Sequence, residues 1–162
     1  GFAAYPQGHP KVANAELEAA LATKAAYART MKAKCFLVTQ FCFSADPIER
    51  WLNSPAIRAC QLPIRIGVPG PARVRALMSF AVQCGVVASI KGLAGRSDVR
   101  NAWLAGWAPD ALVDSLHGLM CAQQPRHNLA LHWFAFGGLA PTLASMNRAP
   151  IESIDQRLEL TP

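Results

Sequence analysis

The chain carries none of the short signatures by which the commonest enzyme chemistries are read. It has no G-x-G-x-x-G, no P-loop, no G-x-S-x-G and no H-E-x-x-H, which leaves dinucleotide-fold, NTPase, serine-hydrolase and zincin readings without their motifs. Its five cysteines show no C-x-x-C spacing, so neither a zinc knuckle nor a thioredoxin-type redox pair is indicated. Cys35, Cys42, Cys60, Cys84 and Cys121 lie mostly within apolar runs, the setting of buried reduced thiols in a cytoplasmic protein. Charged or turn residues interrupt every apolar stretch before the roughly 20 residues of a membrane span. Charge runs are also missing: 16 Lys and Arg against 10 acidic residues give +6, but they are scattered without aromatic interleaving. That pattern reads as a solvated basic surface and not as a nucleic-acid interface.

What the chain does have is apolar mass, 52% of 162 residues, enough for one sizeable core. The stretch Cys35–Phe43 is long, aromatic and β-branched and predicts an inner strand of a parallel sheet, buried on both faces. Alternation sets Phe36, Val38, Gln40 and Cys42 on one side and Leu37, Thr39 and Phe41 on the other. Gln40 then lies near the strand's C-terminal end, where α/β folds hold their ligands.

The chain opens on Phe2-Ala3-Ala4-Tyr5, which reads as the end of a strand, so sequence upstream of Gly1 is expected. A loop with Gly8 and two prolines follows, then a helix from a cap at Asn14 to about Lys32. After the 35–43 strand, Asp46-Pro47-Ile48-Glu49 predicts a helix start with Asp46 as cap, and Ile48, Trp51 and Leu52 its inward face; Ser54-Pro55 bends or restarts it. A third strand is expected at 63–68 and a helix from Val74 to Cys84-Gly85. Beyond it the sequence predicts at most a short strand at 86–89, a helix after Ser97 carrying Trp103 and Trp107, and a helix from Pro109. A fourth strand is predicted over 129–136, then a short helix through Leu143 and Met146, then a loose polar tail over 149–162. Four strands alternating with helices imply parallel β-α units: the C-terminal half of a (β/α)8 TIM barrel, or a self-contained doubly wound sheet.

The strand ends supply the candidate groups: Tyr5 and His9, Thr39 and Gln40, Gly67 with Pro69 and Gly70, and His132 with Gly137 and Gly138. His9, His117 and His127 form no metal set by their spacing. A strand-end amide among apolar residues is costly unless paired, which makes Gln40 a ligand candidate as well as a core one.

In this order, Tyr5-Pro6-Gln7-Gly8-His9-Pro10, Leu37-Val38-Thr39-Gln40-Phe41, Pro63-Ile64-Arg65-Ile66-Gly67-Val68 and Leu131-His132-Trp133-Phe134-Ala135-Phe136 resemble the later barrel strands of the methylenetetrahydrofolate reductase family. The resemblance spans about Gly1 to Asn147, and its Y-P-x-G-H-P and V-T-Q-F motifs are specific together. It implies an FAD-dependent oxidoreductase that reduces 5,10-methylenetetrahydrofolate to 5-methyltetrahydrofolate with NADH or NADPH. The positions matching Tyr5 and His9 lie along the flavin in that family, those matching Glu18 and Lys24 fall by its adenosine diphosphate part, and the one matching Gln40 hydrogen-bonds the folate pterin.

The chain departs from the pattern at Gln7, Phe134 and Gly137-Gly138, where the family commonly has Glu, Tyr and Asn-Arg. The family's general acid and the Asp beside flavin N1 belong to earlier strands, so no catalytic residue is nominated in this chain, and these 162 residues alone are expected not to turn over. A non-catalytic half barrel that binds folate or a partner is the alternative. Exposed sheet edges would also make self-association, a homo-oligomer, the expected behaviour of an isolated half barrel.

Overall fold

Four short apolar segments pair side by side, all parallel, in the order in which they occur. The strands are β1 (Phe2–Ala4), β2 (Leu37–Phe41), β3 (Ile64–Pro69) and β4 (Leu129–Phe134), and the sheet order is β1-β2-β3-β4. A computed structural model describes residues 1–31, 34–86, 107–124 and 126–149. The helices between the strands are α1 (Asn14–Thr30), α2 (Asp46–Leu52), α3 (Pro55–Cys60), α4 (Val74–Cys84) and α5 (Asp110–Gln123), with α6 (Leu139–Arg148) after β4. The predicted α/β alternation is therefore present. A doubly wound sheet reverses its strand order at a switch point; these four strands contain no reversal. The helix expected after Ser97, the 86–89 strand beyond Val86 and the tail beyond Ala149 lie outside the described residues. Trp107 is buried and bridges Ala72.

Register explains which side chains make the core. Phe2, Leu37, Ile64 and Leu129 pair across the sheet. Leu37, Ile64 and Leu129 are buried in one cluster with Leu21, Ile48, Leu52, Ile57 and Leu116 from the helices. Each such side chain contributes roughly 1.5–3 kcal/mol by leaving water. The adjacent row, Ala3, Val38, Arg65 and Ala130, is exposed or half-buried. This corrects the expectation that β2 is buried on both faces: Leu37, Thr39 and Phe41 are buried while Val38 and Gln40 are not fully so, because the core helices pack on one side.

Two helix starts also differ from the sequence reading. Asn14 is the first residue of α1 and does not cap it; the preceding Ala13 N–H donates to the Glu16 carboxylate at 3.2 Å. Asp46 is likewise already helical, its N–H donating to the Ser44 hydroxyl. Ser54 does restart the chain into α3, accepting from the Ile57 N–H. In α6, Leu139, Leu143 and Met146 are exposed while Thr142 and Ser145 are buried. The helix sits so close to the strand ends that a methyl at Gly70 would meet the Thr142 hydroxyl, leaving room only for small inward side chains. No helix among the described residues is long and apolar enough to cross a membrane.

All five cysteines are free thiols. Cys42 is fully buried, and burial pushes its thiol up to about 12, so it is an inert core residue.

Candidate functional site

The C-terminal end of the sheet is shaped by a bulge in β2. Val38 pairs with Arg65 but Phe41 pairs with Gly67, so three steps along β2 match two along β3. A bulge of this kind re-aims side chains. The Gly67 N–H donates to the buried Thr39 hydroxyl at 2.8 Å, and the Gly67 carbonyl accepts from the Cys42 N–H at 3.1 Å. Thr39, named above among the strand-end candidates, is thus engaged by the backbone of the bulge. The bulge also presses the Gln40 backbone onto β3: a Cβ at position 67 would lie 2.6 Å from the Gln40 carbonyl oxygen.

Gln40 leans from this bulge toward α4. Its Nε2 donates to the Cys84 carbonyl at 2.5 Å. Its Oε1 is buried without a hydrogen-bond partner among the described residues, a vacancy that costs about 1–3 kcal/mol. Gly85, left-handed at φ 71°, packs next against Pro10, whose Cδ a Cβ there would meet at 2.6 Å. The end of α4 therefore bridges Gln40 to the loop that carries His9. The amide's donor is engaged by the backbone, and its acceptor is shut off from solvent and unpartnered among the described residues.

Tyr5 follows β1 directly, and since Ala4 pairs with Thr39, Tyr5 and Gln40 are the next residues along their chains. The His9 ring meets Tyr5 edge to face at 5.2 Å, and His9 Nδ1 accepts from the Lys11 N–H. Beside Tyr5 opens a cavity of about 490 Å³ lined by Tyr5, Gln7, Glu18 and Lys24 from one side and by Arg50, Trp51 and Ser54 from the other. Lys24 donates to the Ala3 carbonyl at 2.8 Å, and its ammonium lies 6.0 Å from the Tyr5 ring centre. Phe2 donates to the Phe36 carbonyl, so the Ala3 carbonyl points away from β2, on the side where Lys24 takes it.

Three of the five sequence candidates, Tyr5, Glu18 and Lys24, therefore line one cavity. His9 packs behind Tyr5, and Gln40 belongs to a second position at the same end of the sheet, outside the lining. Arg50 and Trp51 escaped the sequence reading. Pro47, Arg50, Trp51 and Ser54 recur at helical spacing opposite Asn14, Leu17, Glu18 and Leu21, and that pair of facing stripes was the signal available.

On β4, His132 pairs with Gly67 and its ring lies 4.9 Å from Phe134. Burial, and secondarily the Arg65 guanidinium, lower its pKa below 6.5. Arg65 itself lies over the Phe36 ring at 4.7 Å. Because the unfolded chain takes up the proton first, His132 adds its full stability above about pH 6.5 and loses it as pH falls toward the folded-state value. The denaturant midpoint is expected to be lower at about pH 5 than at about pH 8, and His132→Gln to shrink that difference. An unchanged difference in the variant would refute the assignment.

No group of three or more His, Cys, Asp or Glu suited to a metal ion occurs among the described residues. The chain matches no known family model.

Proposed function

We propose that this chain forms the later β-α units of a flavin-dependent (β/α)8 barrel, an oxidoreductase of the methylenetetrahydrofolate reductase type that takes hydride from NADH or NADPH. The observation that carries the reading is the convergence of Tyr5, Glu18 and Lys24, picked from the sequence for one ligand, on one cavity. The unreversed strand order is compatible with a barrel segment, and the cavity, about 490 Å³, falls within the roughly 300–1,000 Å³ of small-molecule sites.

The residues fit FAD. Lys24 supplies positive charge for a diphosphate, the Tyr5 ring an aromatic surface, and Glu18 an acceptor for ribose hydroxyls. Bound flavin would supply hydride acceptance and donation. The protein's share is orientation: Gln40 offers a buried acceptor oxygen to a pterin N–H without adding charge near a cationic iminium.

The test loads the protein with FAD and titrates 5-methyltetrahydrofolate, following the flavin spectrum. Folate is expected to perturb the spectrum, and Gln40→Leu to weaken that binding about tenfold, the loss of one buried hydrogen bond. Folate binding without any flavin uptake would favour the non-catalytic half barrel, a reading to which the altered Phe134 and Gly137-Gly138 lend weight.

A further inference from the structure

The cavity has two walls, and only one of them was anticipated. Its second wall is the stripe Arg50, Trp51 and Ser54, at the C-terminal end of α2 and the start of α3. Among the charged lining residues are two cations, Lys24 and Arg50, against the single carboxylate of Glu18. They are not equivalent. Lys24 already spends one donor on the Ala3 carbonyl and faces Tyr5. Arg50 is exposed, and its guanidinium makes no hydrogen bond or ion pair among the described residues. A guanidinium presents a planar fork of donors that matches phosphate oxygens two at a time. Trp51 is half-buried, packed on the core along one side and lining the cavity along the other. Such a ring offers a flat apolar surface to a purine.

We propose that Arg50 and Trp51 are binding determinants of this cavity, Arg50 gripping the phosphates and Trp51 stacking the base of a nucleoside diphosphate moiety. The inference rests on the flavin reading only for what is joined to that moiety. It gives α2 a role that the resemblance did not: the nucleotide is held between two helices, with Lys24 and Glu18 on one and Arg50 and Trp51 on the other. A solvated arginine beside a core tryptophan is the plain alternative, and it predicts no effect of either residue on nucleotide binding.

The full chain is titrated calorimetrically with ADP, adenosine, riboflavin and FAD. Arg50→Ala is expected to weaken ADP and FAD about tenfold, the value of a charge-assisted contact, while leaving adenosine and riboflavin unchanged. Trp51→Leu is expected to weaken ADP and adenosine alike by about fivefold, with Trp51→Phe restoring most of it. Should Trp51→Leu fail to fold, the exposed Arg50 variant carries the test. ADP binding that is absent in the parent chain, or unaffected by Arg50→Ala, overturns the proposal. FAD binding that ignores Arg50 overturns it while sparing the flavin reading. Arg50-dependent ADP binding with no uptake of FAD or riboflavin supports it and removes the flavin reading instead.

Discussion

Gly67→Ala is expected to destabilise the fold by about 3 kcal/mol, the upper part of the range for overpacking a closed core. The reason is local. The added methyl would stand 2.6 Å from the Gln40 carbonyl oxygen, 2.7 Å from its carbon and 2.8 Å from the Phe134 ring. Two of these three are backbone, held by the bulge whose hydrogen bonds run from Gly67 to Thr39 and from Cys42 to Gly67. No side-chain rotation relieves such a contact, so β2 must move off β3 and carry Gln40 with it. In a chain of this size the thermal midpoint should fall by roughly 6–12 °C.

Gly118→Ala provides the contrast. A Cβ there meets nothing within 4 Å, and the position is exposed inside α5, so alanine should stabilise by roughly 0.5–1 kcal/mol. Equal midpoints for the two variants would contradict the bulge account.

Lys24→Met is expected to weaken FAD about 30-fold, or about 2 kcal/mol. The substitution keeps the unbranched stem but removes the ammonium that holds the Ala3 carbonyl and lies over Tyr5, together with one of the cavity's two cations. Lys24→Arg should recover part of the loss, since charge returns while the compact donor to Ala3 does not. Fold stability is expected to change little, because Lys24 is not part of the buried cluster. Unchanged flavin affinity in Lys24→Met would leave the residue as a partner of the Ala3 carbonyl and nothing more.

Periodicity carried the sequence reading where burial is regular. The apolar positions Leu112, Val113, Leu116, Leu119 and Met120 predict α5, and all five are buried. β2 and β4 emerged shorter than the apolar runs that announce them, because Cys42 and Phe43 lie in the core and Phe136 packs against it beyond the ladder, whereas β3 keeps the length of its run. α1 and α2 each start on the residue expected to cap them, a residue early, with the Ala13 N–H held by the Glu16 carboxylate and the Asp46 N–H by the Ser44 hydroxyl.

The bulge at Thr39-Gln40 leaves no periodic trace: one extra residue in a nine-residue apolar run looks like the run itself. It decides, however, where the Gln40 amide points. The cavity's second wall was hidden for another reason. Trp51 has the spacing of a core residue and packs against the core, so periodicity alone assigns it wholly there, and its second face emerges only where the fold sets it across a cavity from α1.

The account stands or falls on flavin uptake at the cavity beside Tyr5. Titration of the purified chain with FAD, followed by quenching of flavin fluorescence, is predicted to saturate at one flavin per chain and to weaken in Lys24→Met and Arg50→Ala. Failure of FAD, riboflavin and ADP alike to bind at concentrations up to about 1 mM, weaker than roughly 4 kcal/mol of binding free energy, would contradict it.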